Sequence, residues 1–561
     1  MSNAGRSAAA GRIVSGCPST MGDDYQLNLT TLIRHAARTH AEQQILYRTA
    51  GAWERYTYRD CYERVCRAAN ALRSLGVSPG DRVGVLDFNS RRYFELYYAI
   101  PGLGAILLQL NLRLAPEELG YIVGHSRATF ICVDETLLAL AEALAPHAPG
   151  VKGWIVMTDK AEIRTTLAPL HHHEDLLAAA SPNMDWPIID ERSAYSACYT
   201  TGTTGRPKGV YYSHRAMYLH SLSLAVRIGL TSRDRVMLIS PLFHAQGWGL
   251  PQAATLQANK LLLPGRFTTE NIAPLVEALI AEGVTVTGAV PTILFAMLHH
   301  IETLAVTPEL SRLRVLCGGS EPPLSLMKRL RELTGAEVIQ AYGATETGPC
   351  ASLSLPKPSL AERLGPEELW DVRCTQGLPG AGVDIKVLGP DDRELPHDGK
   401  SVGEICLRGP FITSSYYDMP ESANRFIDGY WRSGDVGSID ADGYINLTDR
   451  LKDVIKSGGE WISSIDMENA LAGHPAVLEA VVVGIPHPTW QERPLALVVR
   501  RPGLAVTQEQ LHEHLLGTFG KWQLPDQILF VTSIPKTSVG KLDKKVIRAE
   551  YAGLYARGSG A

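Results

Sequence analysis

Apolar runs at 82–86, 129–133, 153–157 and 235–238 alternate along the chain with helical stretches such as 62–75 and 216–226. A strand repeats its buried face every two residues and a helix every 3.6, so this alternation predicts helices layered on largely parallel sheets. Near the C-terminus the pattern changes. Short strands are expected at 480–483, 495–499 and 527–531, separated by a helix at 508–516, which is the make-up of a compact α+β unit. A boundary near Arg450 and Lys452 then divides the chain into an extension (1–20), a large N-terminal domain (21–450) and a small C-terminal domain (451–561). The expected fold class is α/β, with a multi-subdomain N-terminal domain of sheets flanked by helices, followed by a mobile α+β domain.

Composition narrows the class. A chain of 561 residues, 45% hydrophobic and 20% charged, is long enough for several cores. A formal charge of −5 gives no basic excess, so no nucleic-acid partner is expected and a small-molecule enzyme fits better. The most apolar run, 99–110, contains Pro101 and two glycines and is soon followed by Asn111 and Arg113, so it is too short to span a bilayer. The first twenty residues lack the apolar segment of a secretory signal and read as a disordered or tag-derived extension. Nine cysteines without a C-x-x-C pair suggest reduced, packed thiols in a cytoplasmic protein. The run His171, His172, His173 lacks a spaced fourth ligand and reads as a solvated loop.

The candidate chemistry begins at Y-T-T-G-T-T-G-R-P-K-G-V, residues 199–210. Glycines allow close backbone approach, threonine hydroxyls donate and accept hydrogen bonds, and Lys208 adds a point charge, which together suit an anion with several oxygens. A strand ending near Cys198 and a helix over 213–226 place the loop at a strand-to-helix turn, where phosphates often bind. The P-loop pattern fails, because Lys208 follows Pro207 and precedes Gly209. An ordinary glycine-rich turn remains the alternative for this stretch taken alone.

Its full string, T-T-G-T-T-G-x-P-K-G, resembles the phosphate loop of the adenylate-forming superfamily of acyl-CoA synthetases, luciferases and peptide-synthetase adenylation domains. Further stretches match in the same order: Q-A-Y-G-A-T-E-T-G at 340–348, Y-W-R-S-G-D at 430–435, D-R-L-K-D at 449–453 and P-K-T-S-V-G-K at 535–541. The resemblance covers roughly residues 25 to 550. It implies ATP and Mg²⁺ as partners of the first step and coenzyme A as co-substrate of the second.

The resemblance also implies roles. Thr200 and Glu346 help hold Mg²⁺, and Thr201, Gly202, Thr203, Thr204 and Lys208 embrace the phosphates. Gly319, Gln340, Ala341 and Tyr342 flank the base, Thr345 belongs to the ATP-binding set, and Asp435 accepts from the ribose hydroxyls with Arg450 nearby. Lys452 is the hinge, and Lys541 reaches the α-phosphate during adenylation. Lys456 and Trp461 serve the nucleotide side, and Ser457, Gly458 and Gly459 lie on the path of the coenzyme A pantetheine. P-L-F-H-A-Q-G-W at 241–248 is similar to the substrate channel of bacterial fatty acyl-CoA synthetases, which puts His244 beside the acid carboxylate and Trp248 at its gate, with Gly288 in the wall. S-G-G-E-W-I-S-S at 457–464 looks most like medium- and long-chain enzymes. The expected activity is therefore AMP-forming ligation of a hydrophobic monocarboxylic acid, fatty or aryl-alkanoic, to coenzyme A. A free-standing adenylation enzyme loading a carrier-protein phosphopantetheine is the alternative, and a luciferase-like oxygenase or a silent relative is a third reading. Related fatty acyl enzymes are often homodimers.

Overall fold

A computed structural model describes residues 14–49, 51–200, 206–450, 453–457, 460–536 and 542–555, without the side chains of Arg450, Glu460 and Trp461. Among the described residues the strands form four sheets. A seven-stranded sheet runs Leu170–His172, Gly153–Met157, Ala128–Asp134, Arg82–Leu86, Ile106–Gln109, Ala194–Thr200, Lys208–Ser213, and all its pairs are parallel except the last. A nine-stranded sheet has a parallel centre from Glu337–Gly343 to Gln44–Thr49, with antiparallel strands at both edges.

The run 99–110 belongs to both layers of this architecture. It ends the helix Arg91–Gly102, whose residues from Arg92 onward are all buried, and continues into the buried strand Ile106–Gln109. Its apolar character, interrupted only by Gln109, reflects burial in the fold rather than contact with lipid, and no described helix is long and apolar enough to cross a membrane. The helix expected from residue 62 begins earlier, as Tyr58–Ser74. Thr57 accepts from the Asp60 amide, and the Asp60 carboxylate accepts from the Thr57 amide, so a reciprocal cap fixes the start.

Several expectations need correction. A third sheet, built on Asp384–Leu388, Gly403–Arg408 and Tyr430–Ile439, is antiparallel throughout and was not anticipated. The C-terminal strands are longer than expected, because Val477–His487 and Gln491–Arg500 form one hairpin whose outer residues alternate too weakly to be read as strand. The phosphate-loop stretch does not lead directly into a helix: Lys208–Ser213 is a strand folded back on Ala194–Thr200, and the helix His214–Arg227 follows it. His173 is not solvated but buried at the start of the helix His173–Ala179. Lys544, expected to be a solvated charge, is half-buried, with its Nζ 2.8 Å from Glu468 Oε1. Seven of the nine cysteines are buried as expected, Cys17 being exposed and Cys374 half-buried. The extension through residue 13 lies outside the described residues.

A buried charge cluster braces the first sheet. Arg64 lies 2.7 Å from the fully buried Glu95 and 2.9 Å from Glu174, and Arg92 lies 2.7 Å from Glu174. Burial alone raises the Glu174 carboxyl pKa, but His173 and Arg64 hold it well below the usual carboxylate range. Removing one partner of such a cluster strands a charge without a counter-ion. Arg64→Met is accordingly expected to destabilise the protein by about 3–5 kcal/mol, measured as a lowered urea midpoint. An unchanged midpoint contradicts this account.

Candidate active site

The antiparallel pair Ala194–Thr200 and Lys208–Ser213 sets Tyr199 opposite Gly209 and Thr200 opposite Lys208. A Cβ on Gly209 would come 2.9 Å from Tyr199 Cζ, so the ring lies over the glycine and only glycine admits it. Thr201, Gly202, Thr203 and Thr204 lie outside the described residues. Lys208 Nζ stands 4.9 Å from the centre of the Tyr416 ring, and burial together with nearby Arg425 lowers its pKa. The Tyr416 hydroxyl donates to Glu346 Oε1 at 2.7 Å and accepts from Trp431 Nε1 at 3.1 Å. Burial raises the Glu346 carboxyl pKa, while Tyr416, Arg425 and Lys208 act in the opposite direction. Tyr212 pins the same turn by donating to the Thr345 carbonyl at 2.6 Å.

A second group of predicted residues converges beside this one. The strand Glu337–Gly343 runs parallel to Arg314–Cys317 with Gln340 opposite Cys317. A Cβ on Gly318 would lie 2.7 Å from the Ala341 carbonyl oxygen, and Gly319 holds a φ of +84°, so the two glycines let the loop turn against backbone. The Tyr342 hydroxyl donates to Asp435 Oδ2 at 2.8 Å, and Asp435 faces Arg450 across its sheet. Gln340 Oε1 is buried with no partner among the described residues. A buried acceptor without a protein partner suits a ligand donor.

Around the predicted His244 and Trp248, the residues Ala245, Gln246, Gly247, Trp248 and Gly249 all have positive φ, between 44° and 76°. Left-handed backbone costs about 1–2 kcal/mol for each non-glycine residue, so the turn must be held from outside. A buried polar chain does this. Gln246 N donates to Gln109 Oε1 at 3.3 Å, Gln109 Nε2 donates to Tyr97 at 2.6 Å, and Tyr97 donates to the Leu242 carbonyl at 2.5 Å. Tyr195 donates to Gln246 Oε1 at 3.3 Å and accepts from Gln252 at 2.7 Å. The turn carries half-buried His244 at its head and lays the Trp248 ring against Gly288, where an added Cβ would come 3.2 Å from Trp248 Cε3.

The C-terminal candidates stand apart from these groups. Lys456 pairs with Trp461 along the backbone and donates its amide to Glu492 at 2.9 Å, with its side chain exposed. Ser457 Oγ accepts from Arg493 Nη1 at 3.1 Å. The polar contacts of Lys456 and Ser457 among the described residues thus stay within the C-terminal sheet. Lys452, Gly458, Gly459 and Lys541 lie outside the described residues. Sequence reasoning missed Tyr416, Arg425 and His220, because each is a lone residue whose significance comes from what packs against it. Trp431 was visible within Y-W-R-S-G-D but had no reason to be singled out.

His220 is buried and uncharged, pushed down to about 3 by burial, and its ring occupies the space beside Gly249. A Cβ on Gly249 would lie 2.3 Å from His220 Cε1, at a φ of +76°. Gly249→Ala should therefore lower stability by about 1–3 kcal/mol and loosen the turn. The check is hydrogen exchange: amides of Gln246 and Trp248 should exchange faster while that of Tyr342 keeps its rate. Uniform change across the chain contradicts a local effect.

Comparison with known proteins gives the family. The family described as AMP-binding enzyme matches residues 33–417, and its C-terminal domain matches residues 466–541. A long-chain-fatty-acid–CoA ligase from Thermus thermophilus is 44% identical over 97% of this chain and 99% of its own length. A medium-chain-fatty-acid–CoA ligase from Ectopseudomonas oleovorans is 34% identical over 95% of this chain and 98% of its own. The ATP-bound crystal structure of MatB from Rhodopseudomonas palustris superposes with a TM-score of 0.80 at 25% identity, covering 94% of this chain and all of that one. With both family domains in order along nearly the whole chain and relatives of this identity and coverage, this protein belongs to the AMP-binding enzymes, as an AMP-forming acid–thiol ligase of the acyl-CoA synthetase branch.

Proposed function

We propose that the enzyme's acid is a hydrophobic monocarboxylate of medium or long chain, or an aryl-alkanoic acid, and that the residues singled out above divide the work of two half-reactions. The observation that carries this reading is the convergence on one place of Glu346, Lys208, Tyr342 and Asp435, drawn from three sheets by the bonds through Tyr416 and Tyr342. The apolar contact of Trp248 with Gly288, and the fatty-acid substrates named for the relatives, support the acid class.

In the first half-reaction an oxygen of the acid carboxylate attacks the α-phosphorus of ATP, and pyrophosphate leaves. Two anions must meet, so their charge has to be countered and their geometry fixed. Lys208 and the hairpin threonines hold the departing phosphates. Asp435 accepts from the ribose diol, and Gly319, Gln340, Ala341 and Tyr342 flank the base. Thr200 and Glu346 would hold Mg²⁺: Glu346 is a hard oxygen donor whose burial leaves room for a positive charge. Such an ion supplies further neutralisation of the phosphates when bound. His244 lies beside the acid carboxylate, and Trp248 gates the acid tunnel. Lys541 stabilises charge on the α-phosphate. In the second half-reaction the C-terminal domain, residues 451–561, turns at Lys452. The thiolate of coenzyme A, guided along Ser457, Gly458 and Gly459, attacks the acyl carbon, and AMP leaves with the former carboxylate oxygen. Lys456 and Trp461 serve the nucleotide in one of the two arrangements. We place the protein in the cytoplasm, as a homodimer.

The test is AMP release from ATP with a panel of straight-chain, branched and aryl-alkanoic acids, with coenzyme A or a carrier protein as acceptor. Thioester formation on free coenzyme A with hydrophobic acids is expected; thioester formed only on carrier protein overturns the reading. In the same assay Lys541→Ala should slow pyrophosphate exchange by roughly 10²-fold and spare thioester formation from supplied acyl-adenylate. Equal loss in both steps removes Lys541 from this role.

Tyr416 provides a pH test of Glu346. A carboxyl with a raised pKa is ionised only above that value, so activity that needs the carboxylate falls as pH drops through it. The Tyr416 hydrogen bond favours the ionised form. Tyr416→Phe should therefore shift the acidic limb of the pyrophosphate-exchange profile to higher pH, and a limb that stays in place contradicts the assignment.

A further inference from the structure

Glu321, two residues after Gly319, bridges the adenine-side loop and the C-terminal unit. Its Oε1 accepts from Asn469 Nδ2 at 2.7 Å, and its Oε2 accepts from Gln376 Nε2 at 3.0 Å. Asn469 sits on the helix Ser464–Ala472, beyond the proposed hinge. Gln376 in turn accepts from the Leu447 amide at 2.6 Å, on the strand Ile445–Arg450 that leads to that hinge. Gln340, whose Oε1 is buried without a partner among the described residues, lies close enough to Glu321 to lower its pKa. One half-buried carboxylate thus bonds the helix after the proposed hinge directly, through Asn469, and reaches the strand before it through Gln376.

We infer that Glu321 is a positioning residue that ties the C-terminal unit to the nucleotide side of the site, so that the Glu321–Asn469 bond biases the partition between adenylation and thioester formation. The inference rests on the two-step reading above. The titratable groups facing Glu321 are Asp466, on the same helix as Asn469, and the Cys374 thiol; Gln340, Gln376 and Asn469 are uncharged. Burial first, and then Asp466, push the Glu321 carboxyl up to about 7. A glutamate free of such surroundings titrates near roughly 4.3. The engaged arrangement is therefore fully favoured below that lower value, weakens as pH rises toward about 7 and changes no further above it.

The experiment compares the wild type with Glu321→Ala, Asn469→Ala, the double variant and Glu321→Gln. The ratio of pyrophosphate exchange to thioester formation from supplied acyl-adenylate is measured between about pH 5.5 and 8, bracketing the ionisation. Hydrogen exchange over 464–472 without substrates reads the contact itself. Each alanine variant should move the ratio in the same direction by about 5-fold or more, the double variant should move it no further, and exchange over 464–472 should speed up. Asn469→Ala keeps the test informative if Glu321→Ala fails to fold. Lowering the pH should move the wild-type ratio opposite to the alanine variants, and Glu321→Gln should hold the low-pH ratio throughout. Faster exchange with an unchanged ratio, or additive single effects, overturns the inference. A wild type that makes no adenylate overturns the two-step reading and the inference with it, and is distinguished by that failure.

Discussion

A carboxylate taken out of water must find donors or a cation, or it will protonate, and the burial of Glu346 imposes that constraint on everything around it. Tyr416 supplies a hydrogen bond, Trp431 fixes Tyr416, and Lys208 and Arg425 supply positive charge. These partners come from the phosphate hairpin and from segments next to or within the antiparallel sheet. The carboxyl therefore acts as a keystone between strands of separate sheets among the described residues. The antiparallel third sheet acquires its purpose here: its strand Tyr430–Ile439 delivers Trp431 to Tyr416 and, four residues on, Asp435 to Tyr342.

The Tyr342–Asp435 group and the turn 245–249 achieve rigidity by different means. Hydrogen bonds between side chains of different sheets fix the first, so each bond both stabilises the fold and aims a functional group. The second is a left-handed turn of unfavourable backbone, kept in place by the buried chain through Tyr97, Gln109, Gln246 and Tyr195. Strain held by its surroundings is a common property of sites that bind and release ligands.

Local patterns along the chain carried the α/β class, the parallel strands at Arg82–Leu86 and Gly153–Met157 and the α+β end unit, because side-chain periodicity and burial determine such elements directly. The motifs carried the family, since a glycine- and threonine-rich loop, Y-G-A-T-E and Y-W-R-S-G-D are strings whose order survives without knowledge of the fold. Only the tertiary structure decided that the phosphate loop joins two antiparallel strands, that Tyr416 and Arg425 stand at Glu346, that His220 fills the space beside Gly249, and that Glu321 meets Asn469. These contacts join residues from 29 to 148 positions apart or depend on backbone angles that no composition signals. A lone tyrosine or glutamate reads the same in the sequence whether it lies in solvent or at the centre of a site, and burial, which the chain settles only by folding, is what separates the two.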